Sequence, residues 1–210
     1  MSTMSTANAM PHGLTRARGR PREFDIDVAL DRAISYFREH GYNGVSIADL
    51  SGALNLSAGS IYKAFHSKHE LFCAALDRYL KLRGTRLSEI AGCSESGRDK
   101  LRRVLDFYAE SSHTSEGRGG CLVIVGTVEL GSTDPVVAAK VADALRRNEE
   151  RLTVMIRAGQ SDGSIRKDLD AATTARALLA MVQGMRVLGK TGREREAMMA
   201  LVGVAMRLLD

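Results

Sequence analysis

The chain has 210 residues, 44% of them apolar and 26% charged, with a formal net charge of +5. That size and balance fit one ordinary folded unit or two small ones sharing a core, and exclude a disordered chain. Cys73, Cys93 and Cys121 lie scattered without C-x-x-C spacing, which excludes a disulfide framework and a zinc site.

Residues 1–22 read as a disordered basic arm. Arg16, Arg18, Arg20 and Arg22 follow with no acid between them, and Gly19 and Pro21 keep the stretch from becoming a helix. On charge alone the arm is a solubilising tail or a reach toward DNA. No apolar run has the length of a signal-peptide core or a membrane span, so a cytoplasmic protein without membrane contact is expected. Asp25 is placed to cap a first helix with Ile26, Ala29, Leu30, Ala33, Ile34 and Phe37 on one stripe, ending at Gly41. Asp27, Asp31, Arg32 and Arg38 are expected on its solvated face.

Ser46 to Lys68 (SIADLSGALNLSAGSIYKAFHSK) reads as two short helices with a tight break. Ser46 and Asp49 form a capping-box pair, and Ile47, Leu50 and Leu54 share a face. Asn55 tolerates the left-handed turn, and Ser57 is placed to cap the next helix. There Ile61 and Phe65 point inward, leaving Ala58, Gly59, Ser60, Tyr62 and Lys63 outside. A helix with a small, exposed N-terminal turn presses its backbone into the major groove, which makes this a helix-turn-helix.

The same residues carry a family resemblance. Phe37, Gly41, Tyr42, Ser46-Ile47-Ala48 and Leu56-Ser57-x-Gly59-Ser60-Ile61-Tyr62-x-x-Phe65-x-Ser67-Lys68-x-x-Leu71 resemble the DNA-binding domain of the TetR/AcrR repressors. The sequence departs from that pattern at Lys63, where histidine is common, and at Asn55, where glycine is usual. The resemblance implies an all-α protein of about nine helices: a three-helix DNA-binding domain over 23–69 and a helical effector-binding and dimerisation domain over 70–210. The expected DNA contacts are Arg18, Arg20, Arg22, Ser46, Ser57, Ala58, Gly59, Ser60, Tyr62, Lys63, His66 and Lys68.

Ser67 and Glu70 open a helix running to about Ile90, with Arg78, Lys81, Arg83 and Arg86 expected toward solvent or in surface ion pairs. After the loop Gly92–Gly97 the chain reads as five more helices. They span Arg98 to about His113, the apolar Cys121 to Leu130, Asp134-Pro135 to about Gln160, Asp170 to about Leu188, and Arg193 to Leu209. Ala177, Leu178, Ala180, Met181, Gly184, Met185 and Leu188 give the penultimate helix a broad apolar surface. Met198, Leu201, Val202, Ala205, Met206 and Leu209 do the same for the last. These surfaces close a core or, as the resemblance implies, pair with the same two helices of a second subunit.

For the sensing half, Met155, Met181, Met185, Met198 and Met199 suggest an adaptable apolar interior that fits either a ligand pocket or plain core packing, and Tyr108 and Glu129 are candidate polar contacts to an effector. Gly119-Gly120-Cys121-Leu122-Val123 with Glu129-Leu130 and Asp134-Pro135 resembles a TetR-like subgroup in which some members sense electrophiles or oxidants through that cysteine. Cys121 follows a glycine-rich break at a helix start, with Arg118 near enough to add to a field favouring thiolate, yet it also suits a buried packing role. His113, Cys121 and Glu129 are the nearest thing to a catalytic set, but no nucleophile elbow, H-E-x-x-H or phosphate loop occurs, so neither an enzyme nor a cofactor is expected. The expected function is a homodimeric repressor on a near-palindromic double-stranded operator, released by a small-molecule or electrophilic signal. The alternative is a constitutive nucleoid-type DNA-binding protein.

Overall fold

The computed structural model describes residues 24–92 and 96–210, and the expectations for Arg16, Arg18, Arg20, Arg22 and Cys93 lie outside them. Every regular element among the described residues is helical. Helix α1 (Ile26–His40) starts where the Asp25 carboxylate accepts the Asp27 and Val28 amides, and stops at Gly41. Helix α2 (Ile47–Leu54) opens on the reciprocal Ser46–Asp49 capping box and ends at Asn55, in the left-handed region at φ 54°, ψ 47°. Ser57 accepts the Ser60 amide to start α3 (Ala58–Phe65). Then come α4 (Lys68–Gly92), α5 (Gly97–His113) and a short turn, α6 (Ser115–Gly119).

The apolar segment after Gly120 is helical, as expected, but not uniformly so. Four α-helical residues, α7 (Leu122–Val125), run into a π turn over Gly126–Leu130. Asp134 and Pro135 start α8 (Pro135–Asp162), and α9 (Ala171–Gly189) and α10 (Arg195–Arg207) complete the chain.

Two apolar cores divide the molecule. The first joins α1–α3, the first half of α4, α7 with its π turn, and Val137 and Val141 of α8. At its centre Phe37 and Phe72 meet edge to face at 5.1 Å, with Tyr42 5.1 Å from Phe72. Fully burying a side chain of this kind contributes about 1.5–3 kcal/mol. The second core gathers Leu87, α5, the rest of α8, α9 and α10. Helices α4 and α8 pass through both, so the two halves are braced rather than hinged on a single strand of chain.

The last two helices are two-faced. Leu178, Met185, Met198, Val202, Ala205, Met206 and Leu209 are buried in the second core, which removes them from any surface offered to a partner. Ala177, Ala180 and Leu188 on α9, and Ala197, Ala200 and Val204 on α10 with Leu208 capping it, stay exposed at helical spacing. A methyl group added at Gly184 or Gly203 would meet nothing within 4 Å.

Candidate nucleic-acid interface and the polar centre behind it

Helix α3 shows two chemically different sides. Ile61 and Phe65 are buried in the first core, while Ser57, Ala58, Gly59, Tyr62, Lys63 and His66 are exposed. Nothing in the fold requires glycine at 59, where the nearest atom to an added methyl would be the Ser57 hydroxyl oxygen at 3.8 Å. A helical glycine costs about 1 kcal/mol relative to alanine, so the bare backbone fits close approach by a partner. Ser60 is half-buried, and its hydroxyl lies 2.9 Å from that of Ser57. His66 ends the helix at φ 59° and donates its amide to the Tyr62 carbonyl. Ser46 is exposed, but its hydroxyl donates to the Asp49 carboxylate at 2.6 Å. That bond and the Ser46 amide hold the Asp49 carboxyl below its usual range.

Lys68 differs from the expectation of a free phosphate contact. Its ammonium donates to the Tyr42 and Val45 carbonyls at 3.0 and 2.8 Å and lies 4.2 Å from the centre of the Tyr42 ring. The cation pins the loop between α1 and α2, which orients α2 and α3. Arg32 likewise donates to the Leu54 carbonyl at the C-terminus of α2, where a cation is favoured. Arg78 spans from α4 to Asp31 and Asp27 of α1. The polar face of α1 is therefore bonded to its neighbours and not simply solvated.

Arg38 departs furthest from that expectation. It is buried, and donates through Nε to the Gly120 carbonyl at 2.8 Å and through Nη2 to the Glu116 carbonyl. Gly120, at φ 89°, turns its carbonyl into the protein, and the same oxygen accepts Arg186 Nη2 at 3.2 Å. Arg186 is 2% exposed and also donates to Ser111. Burial opposes its charge, but Tyr79, Cys121 and Glu116 more than offset this, and its pKa is raised. Arg83 is not at the surface as expected: it pairs with Glu116 and is surrounded by the rings of Tyr79, Phe107 and Tyr108.

Glu129 is likewise committed elsewhere than to an effector. Its Oε2 accepts the Tyr42 and Asn43 amides at 2.9 and 2.7 Å, linking the π turn to the loop that precedes α2. Gly41, at φ 79°, leaves the space for this, since a side chain there would come within 2.4 Å of the Glu129 carboxylate. Lys190 of α9 adds donors to the Arg38 and Glu39 carbonyls.

Between α4, α5, α8 and α9 lies a recess of about 530 Å³ counting its open mouth, lined by Tyr79, Arg83, Tyr108, Cys121, Arg151 and Arg186 among others. An adjoining apolar lobe, about 300 Å³ with its open space included, takes in Met155 and also touches Tyr108 and Arg151. Met185 is instead packed in the second core, with Met181 against it. Cys121 is buried, and its sulfur accepts the Tyr79 hydroxyl at 3.7 Å. Arg118 is exposed and directed at the His113 carbonyl, so Arg186 is the arginine that neighbours the thiol.

Sequence reasoning missed Arg38, Glu116, Arg151 and Arg186. A lone arginine inside the apolar run Leu178–Gly189 was the available signal for the last, and Arg38 follows the inward Phe37 directly. Among the described residues no cluster of three or more His, Cys, Asp or Glu is placed to hold a metal ion, and no helix is long and apolar enough to cross a membrane.

Residues 29–75 match the family model for bacterial regulatory proteins of the tetR family, and residues 97–202 match that for the tetracyclin repressor-like C-terminal domain. The chain is 29% identical over 196 residues to the HTH-type transcriptional repressor ComR of Escherichia coli (strain K12), covering 92% of each. It is 28% identical over 181 residues to the HTH-type transcriptional repressor DhaR of Mycobacterium sp. (strain GP1), covering 86% of this chain and 89% of that one. Among solved structures, a cysteine mutant of the TetR family regulator CifR, complexed with 26 bp operator DNA, superposes with a TM-score of 0.82 at 29% identity, covering 91% of this chain and 100% of that one.

Proposed function

Because the chain belongs to the TetR family of transcriptional regulators, we propose that it represses transcription as a homodimer on a near-palindromic operator and leaves that operator when its C-terminal half takes up a signal. Membership of this family makes it a regulator of transcription and not an enzyme. In the proposed reading residues 23–69 read DNA and 70–210 sense and dimerise. Ser57, Ala58 and Ser60 meet base edges, Tyr62, Lys63 and His66 meet the backbone, and Gly59 lets the helix approach closely.

One observation carries the switch: the Glu129 carboxylate, from the π turn, holds two amides of the loop that sets α2 and α3. A shift of that turn is felt directly at the recognition helix. To occupy successive major grooves, two such helices must sit about 34–36 Å apart, so a small rotation of each removes the fit. The exposed strip on α9 and α10 supports the dimer, since small residues at Gly184 and Gly203 allow close helix approach. The recess supports uptake of a small molecule, and Cys121 on its lining supports capture of an electrophile there.

Fluorescence anisotropy with the chain's own upstream DNA and with random duplex tests this reading. Preference for the upstream DNA is expected, and equal affinity for both would favour an architectural protein. A small electrophile should release wild type and spare Cys121→Ser. Equal release of both would remove the thiol from sensing and leave reversible binding in the recess.

A further inference from the structure

The recess has an unbalanced set of polar groups. Arg83, Arg147, Arg151 and Arg186 line it, with no aspartate or glutamate. Two of the four are neutralised from outside the lining, Arg83 by Glu116 and Arg147 by Asp143. The other two are less fully met. Arg151 forms no ion pair among the described residues, and its one hydrogen-bond partner is the side-chain carbonyl of Asn148 at 3.1 Å. The Arg186 Nε is buried with no partner, and its one ion pair, with Glu116 at 3.6 Å, is shared with the closer Arg83. The Tyr108 ring also lines the recess, and burial raises the pKa of its hydroxyl, so it stays a donor.

Three donors, two of them cationic, therefore line one cavity that offers no acidic acceptor, and the Arg186 Nε among them is buried and unmet. Buried donors are almost always satisfied, and one left unmet is destabilising. Water can fill a hydrogen bond but cannot offset the charge. The adjoining lobe, lined by Val104, Leu152, Met155, Leu179 and Val182, is apolar. We propose that the recess binds a small amphipathic organic anion, whose carboxylate or phosphate group meets Arg151, Arg186 and Tyr108 and whose apolar body fills this lobe. The inference rests on the reading of the C-terminal half as the sensor, and adds the class of ligand. It also supplies a route to the DNA-binding domain. Arg186 and Arg38 share the Gly120 carbonyl, so an anion that draws Arg186 into the recess frees one side of the acceptor that anchors α1.

Calorimetric titration of the full chain without DNA tests the site, with octanoate and hexyl phosphate as anions and octanamide as the neutral probe. At least one anion should bind, with octanamide at least about tenfold weaker, and the better anion identifies the head group. Arg186→Met should abolish that preference. Because Arg186 also holds Gly120, Arg151→Gln is the second variant: it should cost the anion about tenfold, leave octanamide unchanged and keep the melting temperature of wild type. No binding by either anion, equal binding of octanamide, or unaltered anion affinity in a folded Arg151→Gln would each overturn the proposal. Operator release is measured separately. An anion that binds in this manner without releasing DNA upholds the site and refutes the switch.

Discussion

The helix-turn-helix and the polar centre around Gly120 are bonded on opposite plans. Within α2 and α3 the side-chain partners sit three or four residues apart, as in Ser46 with Asp49, Ser51 with Ile47 and Ser57 with Ser60, and most lie at the surface. Around Gly120 the partners come from far along the chain: Arg38 is 82 residues from Gly120, Arg186 is 66, and Glu129 is 87 from Tyr42. A locally built surface can change one side chain at a time and keep its shape. A centre built from distant groups cannot lose one without stranding another, which on the proposed reading suits it to carry a signal.

Substitutions sharpen the contrast. The largest effect is expected at Arg38→Met, which leaves the buried Gly120 and half-buried Glu116 carbonyls short of a donor. Hydrogen bonds to charged groups are worth about 1.5–3 kcal/mol each, so urea unfolding should show a loss of about 3 kcal/mol. A loss under about 1 kcal/mol would mean the centre is not a structural unit. Glu129→Ala should cost about 2 kcal/mol and weaken the response of operator binding to any effector, with the salt dependence of DNA binding unchanged. Lys68→Met should lower stability by about 1–2 kcal/mol, because its carbonyl partners lose a cation, and barely alter the salt slope.

Lys63→Ala should do the reverse. Stability stays put, affinity falls for every DNA sequence alike, and the salt slope drops by about one. If Lys68 and Lys63 exchanged these behaviours, the division between scaffold and reading face would fail. Tyr62→Phe should cost about 1 kcal/mol of DNA binding per subunit. The mildest test is acid. The Asp49 pKa is lowered below 3.8 in the fold, so its capping contribution is present above that value and is lost as pH falls through the folded pKa. Asp49→Asn should flatten this part of the acid-unfolding curve followed by circular dichroism.

The same contrast governs what could be read from the chain. Asp25, Ser46 with Asp49, Asn55, Ser57 and Asp134-Pro135 announce helix ends because caps act over two or three residues, and each is found where local rules put it. Glu129 was legible as a polar residue in an apolar segment, but its partners are amides supplied from the other end of the first core. Arg38, Lys68 and Arg83 look like surface cations because helical periodicity reports which face a residue occupies, not which carbonyl or ring comes to meet it. The recess belongs to this second class. Its arginines come from three helices, and apart from Arg147 and Arg151, one turn apart on α8, no spacing in the sequence relates them.

The Gly120 carbonyl has two lone pairs, and both are taken, one from α1 and one from α9. On the proposed reading, binding at either end of this shared acceptor is tied to the other by free-energy reciprocity. An occupant of the recess that weakens operator binding by some factor must itself be held more weakly, by that same factor, while the operator is bound. The operator then acts as an antagonist of the signal. The dose that lifts repression is set partly by how many binding sites the genome offers and how tightly they hold, and it can be retuned by changing DNA with every residue of the protein left in place.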